Sequence, residues 1–245
     1  MFRQIWVSPI HQDYQRIVWR ESPDEPIKHY WLSTVTYGTA SAPFLSVRVL
    51  QQLAMANINK FPHAANIICN NIYVDDVMAG GNSIDAVINL KTELVNLLES
   101  GGFHLRKWSS NSTAVLQTVP AEDCEAFSKH KNGGSDYIKI LGLYWNPKPD
   151  KYSFHVGTPT VINATKRHIL SEIARIFDIF GFLAPVVVKI KILFQEIWLR
   201  NVSWDDPLPD SSTWRHIRET LHLLEAIYSK KHFESCNAIR TSLFL

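Results

Sequence analysis

Apolar and polar residues alternate in short runs over the first forty residues, the period-two pattern of half-buried strands. Residues 2–8 and 14–20 read as two strands joined by the turn-like segment Pro9–Asp13, and 28–36 as a third after the polar loop Glu21–Pro26. The stretch Tyr37-Gly-Thr-Ala-Ser-Ala-Pro-Phe44 then breaks the alternation. Beyond it Leu45, Val49, Leu50, Leu53 and Ala54 share one side of a predicted helix starting at Phe44. Ile67–Tyr73 and Val77–Ala79 read as the arms of a hairpin. Ile84, Val87, Ile88, Leu90, Leu94, Leu97 and Leu98 return to helical spacing, with Ser83 positioned as the cap and Gly101-Gly102 as the stop. Strands are expected at 103–108, 137–145 and 152–156, with a short helix in polar loop between 109 and 135.

The rhythm changes after that. Residues 165–180, 186–199 and 214–230 have helical periodicity, the first two separated by the breaker Gly181-Phe-Leu-Ala-Pro185. The pattern predicts an α+β chain: strands and helices mixed over 1–157, mostly helix over 158–245, and a boundary near residue 158.

Composition constrains this picture only mildly. The chain has 245 residues, 46% hydrophobic and 20% charged, with a net charge of +2. That length buries a sizeable core, and the charge permits an anionic partner without demanding one. Cys69, Cys124 and Cys236 are too few and too scattered for a disulfide framework or a zinc site, which points to a reducing compartment. Met1 leads into no apolar leader, and no run is apolar enough to span a bilayer, so no membrane association is expected. Between Lys166 and Arg200 six Lys or Arg face three acids, a bias that suits nucleic-acid contact and a solvated helix face about equally.

The one stretch that asks for chemistry is Asn70-Asn-Ile-Tyr-Val-Asp-Asp-Val-Met-Ala-Gly-Gly81. Adjacent carboxylates raise each other's pKa unless a cation or a strong donor set lies between them. A solvated turn would tolerate Asp75 and Asp76, and a metal site would use them. Strand alternation puts Tyr73 and Asp75 on one face and Val74 and Asp76 on the other. Asp75 is then the expected bridging ligand, with Asp76 second.

Tyr73-Val-Asp-Asp76 between apolar arms, with TYGTASAPF (37–44 and its preceding Thr) before it and GGFHLRKWSSN after it, resembles the reverse-transcriptase palm of BEL/Pao-type LTR retrotransposons. MFRQIWVSP resembles the segment after that family's first catalytic aspartate, and KILGLYW its primer-grip hairpin. The block TKRHILSEIARIFDIFGFLAPVVVKIKILFQEIW resembles the region after the palm in Pao polyproteins. Five blocks beside Tyr73-Val-Asp-Asp76, in the same order, make the resemblance specific and nearly end to end.

The resemblance implies an antiparallel palm sheet with flanking helices over 1–157 and a helical thumb- or connection-like region over 158–245. It implies an RNA-directed DNA polymerase that uses two divalent ions, Mg²⁺ or Mn²⁺, in nucleotidyl transfer. Asp75 and Asp76 would be metal ligands, and Lys107 would assist the pyrophosphate leaving group. Phe2, Gly38, Pro43, Tyr73 and Val74 would line the nucleotide and template pocket, and Gly142 and Trp145 the primer grip. Partners would be an RNA/DNA primer–template, dNTPs and the rest of a Pol polyprotein carrying protease, RNase H and integrase. The expected location is the cytoplasm.

The family carries Asp-Ile-x-x before the counterpart of Met1-Phe2, and that Asp is a metal ligand. The present sequence starts after it, so the expectation is a truncated fragment inactive on its own, with an unpaired sheet edge beside Asp75. The alternative is a nucleic-acid-binding remnant without chemistry, holding duplex through 166–200 and the 142–145 hairpin. Asp210-Ser-Ser lacks the glycine of an aspartic peptidase motif, so peptidase activity is not expected.

Overall fold

The computed structural model describes residues 1–125, 137–140, 143–153, 164–176, 178, 181, 183–208, 212–221, 223–224 and 239–244. The described elements run β1 (Arg16–Trp19), β2 (Lys28–Trp31), α1 (Ala42–Ala56), α2 (Pro62–Asn70), β3 (Ile72–Tyr73), β4 (Asp76–Gly81), α3 (Ile84–Glu99), β5 (Arg106–Ser110) and α4 (Thr113–Leu116). They continue with β6 (Ile138–Ile140), β7 (Leu143–Asn146), β8 (Lys151–Ser153), α5 (Lys166–Ile173), α6 (Ala184–Leu199), α7 (Ser212–Leu221) and β9 (Ile239–Phe244). The fold is α+β, with helices and small antiparallel sheets. Its contacts divide the chain into two units, Met1–Ala126 with Ser235–Leu245, and Phe127–Glu234. The boundary expected near residue 158 therefore falls inside the second unit.

The first unit is built on α1, α2 and α3, with α1 packed on α2 and α2 on α3. Leu50 and Ala54 of α1, Ala64 and Ile68 of α2, and Leu94, Leu97 and Leu98 of α3 meet Val77 of β4 and Trp108 of β5 in one buried cluster. Each fully buried leucine or isoleucine there contributes about 1.5–3 kcal/mol over its exposed state. Ser83 caps α3 as expected, its hydroxyl accepting from the Ala86 N–H at 3.2 Å. Gly102 leaves the helix at φ +77°. At Gly101 a Cβ would lie 2.5 Å from Leu53 Cδ2, so a larger residue there would push the end of that side chain aside.

Several local expectations give way. Residues 2–8 and 14–20 are not two full strands: Phe2–Gln4 and Pro9–Gln15 are 3-10 turns, Trp6 makes an isolated antiparallel bridge to Thr34, and Arg16–Trp19 forms a strand in register with Trp31–Lys28. Proline at the start of the second turn presets its backbone for a helical entry. Ile67–Asn70 belongs to α2 rather than to a hairpin arm, because Pro62 opens a helix there and buries Ala64, Ala65 and Ile68. The arm is reduced to Ile72–Tyr73. Residues 137–145 are not one strand either: β6 and β7 pair antiparallel, Ile138 opposite Trp145.

The four-stranded sheet of this unit has the order β3-β4-β9-β5, antiparallel throughout. The edge of β4 expected to lie open is therefore occupied. Its neighbour is β9, in register from Asp76 opposite Phe244 to Gly81 opposite Ile239.

The second unit has its own core. Leu143 of β7, Ile169 of α5, Leu183, Ile190, Leu193 and Ile197 around α6, and Trp214, Ile217 and Leu221 of α7 form one buried cluster. Thr165 caps α5 by accepting from the His168 N–H at 3.3 Å. The helix expected over 165–180 ends at Ile173, while Gly181 turns the chain at φ +74° ahead of α6. Asp178 Oδ2 accepts from the Leu183 N–H at 2.7 Å at the entry to that helix.

A strained hairpin with a buried carboxylate

The site is shaped by what precedes it. No side chain of its own caps α2; Glu93 of α3 does so instead, its carboxylate accepting from the N–H groups of His63 and Ala64, both at 3.1 Å. Burial opposes that charge, but these bonds and the His63 ring at 2.9 Å together hold Glu93 below the usual carboxylate range. Negative charge at a helix N-terminus is favoured by the exposed amides and the helix dipole. With α2 fixed in this way, Asn71 feeds directly into β3.

Between β3 and β4 the turn has only two residues, Val74 and Asp75, because Tyr73 and Asp76 are cross-strand partners. The expected alternation along a continuous strand is corrected here. Tyr73 and Asp76 share a face, and Asp75 stands at the tip. Val74 has φ 55°, the left-handed value that the first loop position of a type II′ turn takes and that glycine normally supplies. A β-branched residue in that region is strained by about 1–3 kcal/mol.

The two carboxylates therefore live in different surroundings. Asp75 is exposed, whereas Asp76 is only 8% exposed and its Oδ1 has no hydrogen-bond partner. Burial pushes Asp76 up to about 6, the charge of Asp75 pushes it further the same way, and Lys107 pulls it back. Lys107 sits on β5 at φ 54°, where the register between β5 and β9 is irregular. Two of the residues nearest this carboxylate in electrostatic terms thus stand on or beside non-glycine positive-φ positions.

Of the remaining expected site residues, Tyr73 is 54% exposed. Phe2 lies in the first 3-10 turn, with its ring edge-to-face against Tyr37 at 5.1 Å, and packs on the main cluster of the first unit. Gly38 is exposed at φ +80° with open space around it, so its role here is a turn conformation rather than close approach. Pro43 opens α1 and its carbonyl accepts from Ser46 Oγ at 2.8 Å. Trp145 is buried in the second unit, where its Nε1–H donates to Asp150 Oδ1 at 2.9 Å. Gly142 and Asp210 lie outside the described residues. Asp75, Asp76 and Lys107 are thus the expected residues that share one electrostatic environment. The strand β9 beside Asp76 and the cap from Glu93 were missed. The Ile-x-Thr-x-Leu alternation of 239–243 was the available signal for the first.

Among the described residues, no group of three or more His, Cys, Asp or Glu is arranged to hold a metal ion. The two adjacent aspartates do fit a smaller role. An orphaned, buried carboxylate oxygen beside a second carboxylate is a donor pair that a hard cation would satisfy, and Mg²⁺ is commonly held by one or two carboxylates plus phosphate oxygens. No described helix is long and apolar enough to cross a membrane.

Residues 165–245 match the family model described as a Pao retrotransposon-like RNaseH-like domain. The match supports a Pao-type retrotransposon Pol region, and its description is RNaseH-like where the sequence suggested a thumb- or connection-like block. The matched stretch runs through α5, α6 and α7 of the second unit and ends in β9 of the first. No curated protein matches the chain.

Proposed function

We propose that the first unit is a palm-like nucleotidyltransferase region of a retrotransposon Pol polyprotein, in which Asp76 and Asp75 hold a divalent cation, Mg²⁺ or Mn²⁺. The observation that supports this is the Asp76 carboxylate: buried, raised to about 6, and with Oδ1 unpartnered beside a second acid. A turn on a solvated surface would have no reason to bury that oxygen. When bound, the cation supplies charge neutralisation for phosphate oxygens.

The chain's own residues prepare the rest. Val74 holds the backbone in a left-handed turn, which sets Asp75 at the tip and Asp76 on the sheet. Lys107 brings a positive charge toward the same carboxylate, and that charge would also favour an anionic leaving group. Exposed Tyr73 shares the Asp76 face and offers a ring to a sugar or base. The natural partners would be a primer–template, dNTPs and the rest of the polyprotein, in the cytoplasm.

A second reading, nucleic-acid binding without chemistry, is favoured by one observation: only two acids meet among the described residues, with no third ligand beside them. Mn²⁺ binding followed by electron paramagnetic resonance separates the two. The first reading expects bound Mn²⁺ whose affinity falls at least about tenfold in both Asp75→Asn and Asp76→Asn, about 1.4 kcal/mol. Equal Mn²⁺ affinity in the native chain and both variants overturns it. Salt-sensitive duplex binding with no metal dependence then favours the second.

A further inference from the structure

The middle position of the β3-β4-β9-β5 sheet is filled from far away in sequence. Strands β4 and β5 are joined by α3, both run antiparallel to β9, and so lie parallel to each other with one strand-width between them. The strand in that gap comes from residues 239–244, beyond the whole of the second unit. Residues 1–125 supply both walls of the slot, and the described core behind it draws on Leu50, Ile68, Val77, Leu97 and Trp108 of that same segment.

What seats β9 is a main-chain ladder. Six consecutive positions pair with Asp76–Gly81 on one side, and Phe244, Ser242 and Thr241 pair with Arg106, Ser109 and Ser110 on the other. A ladder of this kind accepts any strand of suitable length and direction, whichever molecule it comes from. If β9 leaves, two edges open at once, each a row of unpaired N–H and C=O groups that templates new pairing. A hairpin would return its own strand at once. Here the returning strand is tethered through more than a hundred residues of intervening chain, and the same strand on a second copy presents identical bonds. Trading an identical element is the low-cost route to a dimer.

We propose that β9 is an exchangeable strand, and that two copies of this chain trade it, each seating its 239–244 segment between β4 and β5 of the other. The strand alongside Asp76 then comes from the second copy, opposite the same backbone positions. This holds whether or not the aspartates bind metal.

Ala79 and Thr241 face each other across β4 and β9, which makes them a reporter pair. The double variant Ala79→Cys with Thr241→Cys, in a chain whose Cys69, Cys124 and Cys236 are changed to Ser, is refolded at low and tenfold higher concentration and then oxidised. Exchange predicts an interchain disulfide-linked dimer whose ratio to the intrachain product rises about tenfold between the two conditions. An intrachain disulfide alone at both concentrations overturns the proposal, and so does the absence of either product. Light scattering on the unsubstituted chain guards against misfolding of the variant. A dimer there that fails to give the interchain bond is a dimer of another kind and also counts against exchange.

Discussion

Replacing Asp76 by Asn tests whether burial of this carboxylate strains the fold. The group rises from the ordinary value of 3.8 to about 6, first through burial and then through the neighbouring Asp75. Between those two values the folded chain keeps a proton that the unfolded chain has released. Stability is therefore fully present below about pH 4, falls as the pH rises, and the loss is complete above about pH 6. A shift of this size corresponds to about 3 kcal/mol. Asn keeps the shape without the titration, at a cost of about 1–2 kcal/mol for an amide that inherits an unpartnered position. The stability of Asp76→Asn relative to the native chain should thus rise by about 3 kcal/mol across that window, leaving the variant more stable by about 1–2 kcal/mol near neutral pH. Urea unfolding of both proteins through the window measures this, and carbon NMR of the carboxyl reads the titration directly. Parallel stability curves for the two proteins would refute the reasoning. A divalent cation that binds Asp76 should lower its titration point and shrink the difference.

Other substitutions probe the supports. Val74→Asn places a residue that tolerates positive φ in the turn and should stabilise the chain by about 1 kcal/mol in thermal melts; a loss of that size would mean the valine side chain makes a contact worth more than the strain. Glu93→Ala removes the acceptor at the start of α2 and should cost about 1–2 kcal/mol, with earlier amide exchange at His63 and Ala64. Leu98→Ala, fully buried in α3, should cost about 2–5 kcal/mol in the unfolding of the first unit. Arg167→Ala breaks a bidentate contact with Asp205 on the surface of the second unit and should leave the melting temperature unmoved.

Much of the helical architecture could be read directly from residue spacing, because a helix that buries one face must repeat its apolar residues at that period. Ser83, Ile84–Leu98 and Gly102 make one self-consistent helix from cap to stop, and α6 was foreseen within two residues at its start. The N-terminal strands were less legible: Trp6 fits a strand pattern but makes only an isolated bridge to Thr34, and Tyr14 stands exposed on a 3-10 turn. The paired aspartates were visible as a chemical oddity, but their division of labour was not. Alternation assumes a continuous strand, whereas a two-residue turn puts Tyr73 and Asp76 on one face and leaves Asp75 exposed at the tip. No local pattern could announce that residues 239–244 would lie beside Asp76, because strand pairing across such a separation is decided by which edges remain open after the nearer elements have packed.

The placement of β9 also sets a timetable for synthesis. Ser110 and Thr241 end up side by side in one sheet, yet the ribosome must add residues 111–240 between them, which takes about ten seconds at ordinary elongation rates. Throughout that interval α1, α2 and α3 can assemble their shared cluster, and the second unit can complete its own, while β4 and β5 wait with nothing between them. The nascent chain thus carries a half-finished sheet, with Asp76 uncovered on one side, until residues 239–244 have been added. A pause or a chaperone acting in that interval would act on the aspartate hairpin more than on any helix.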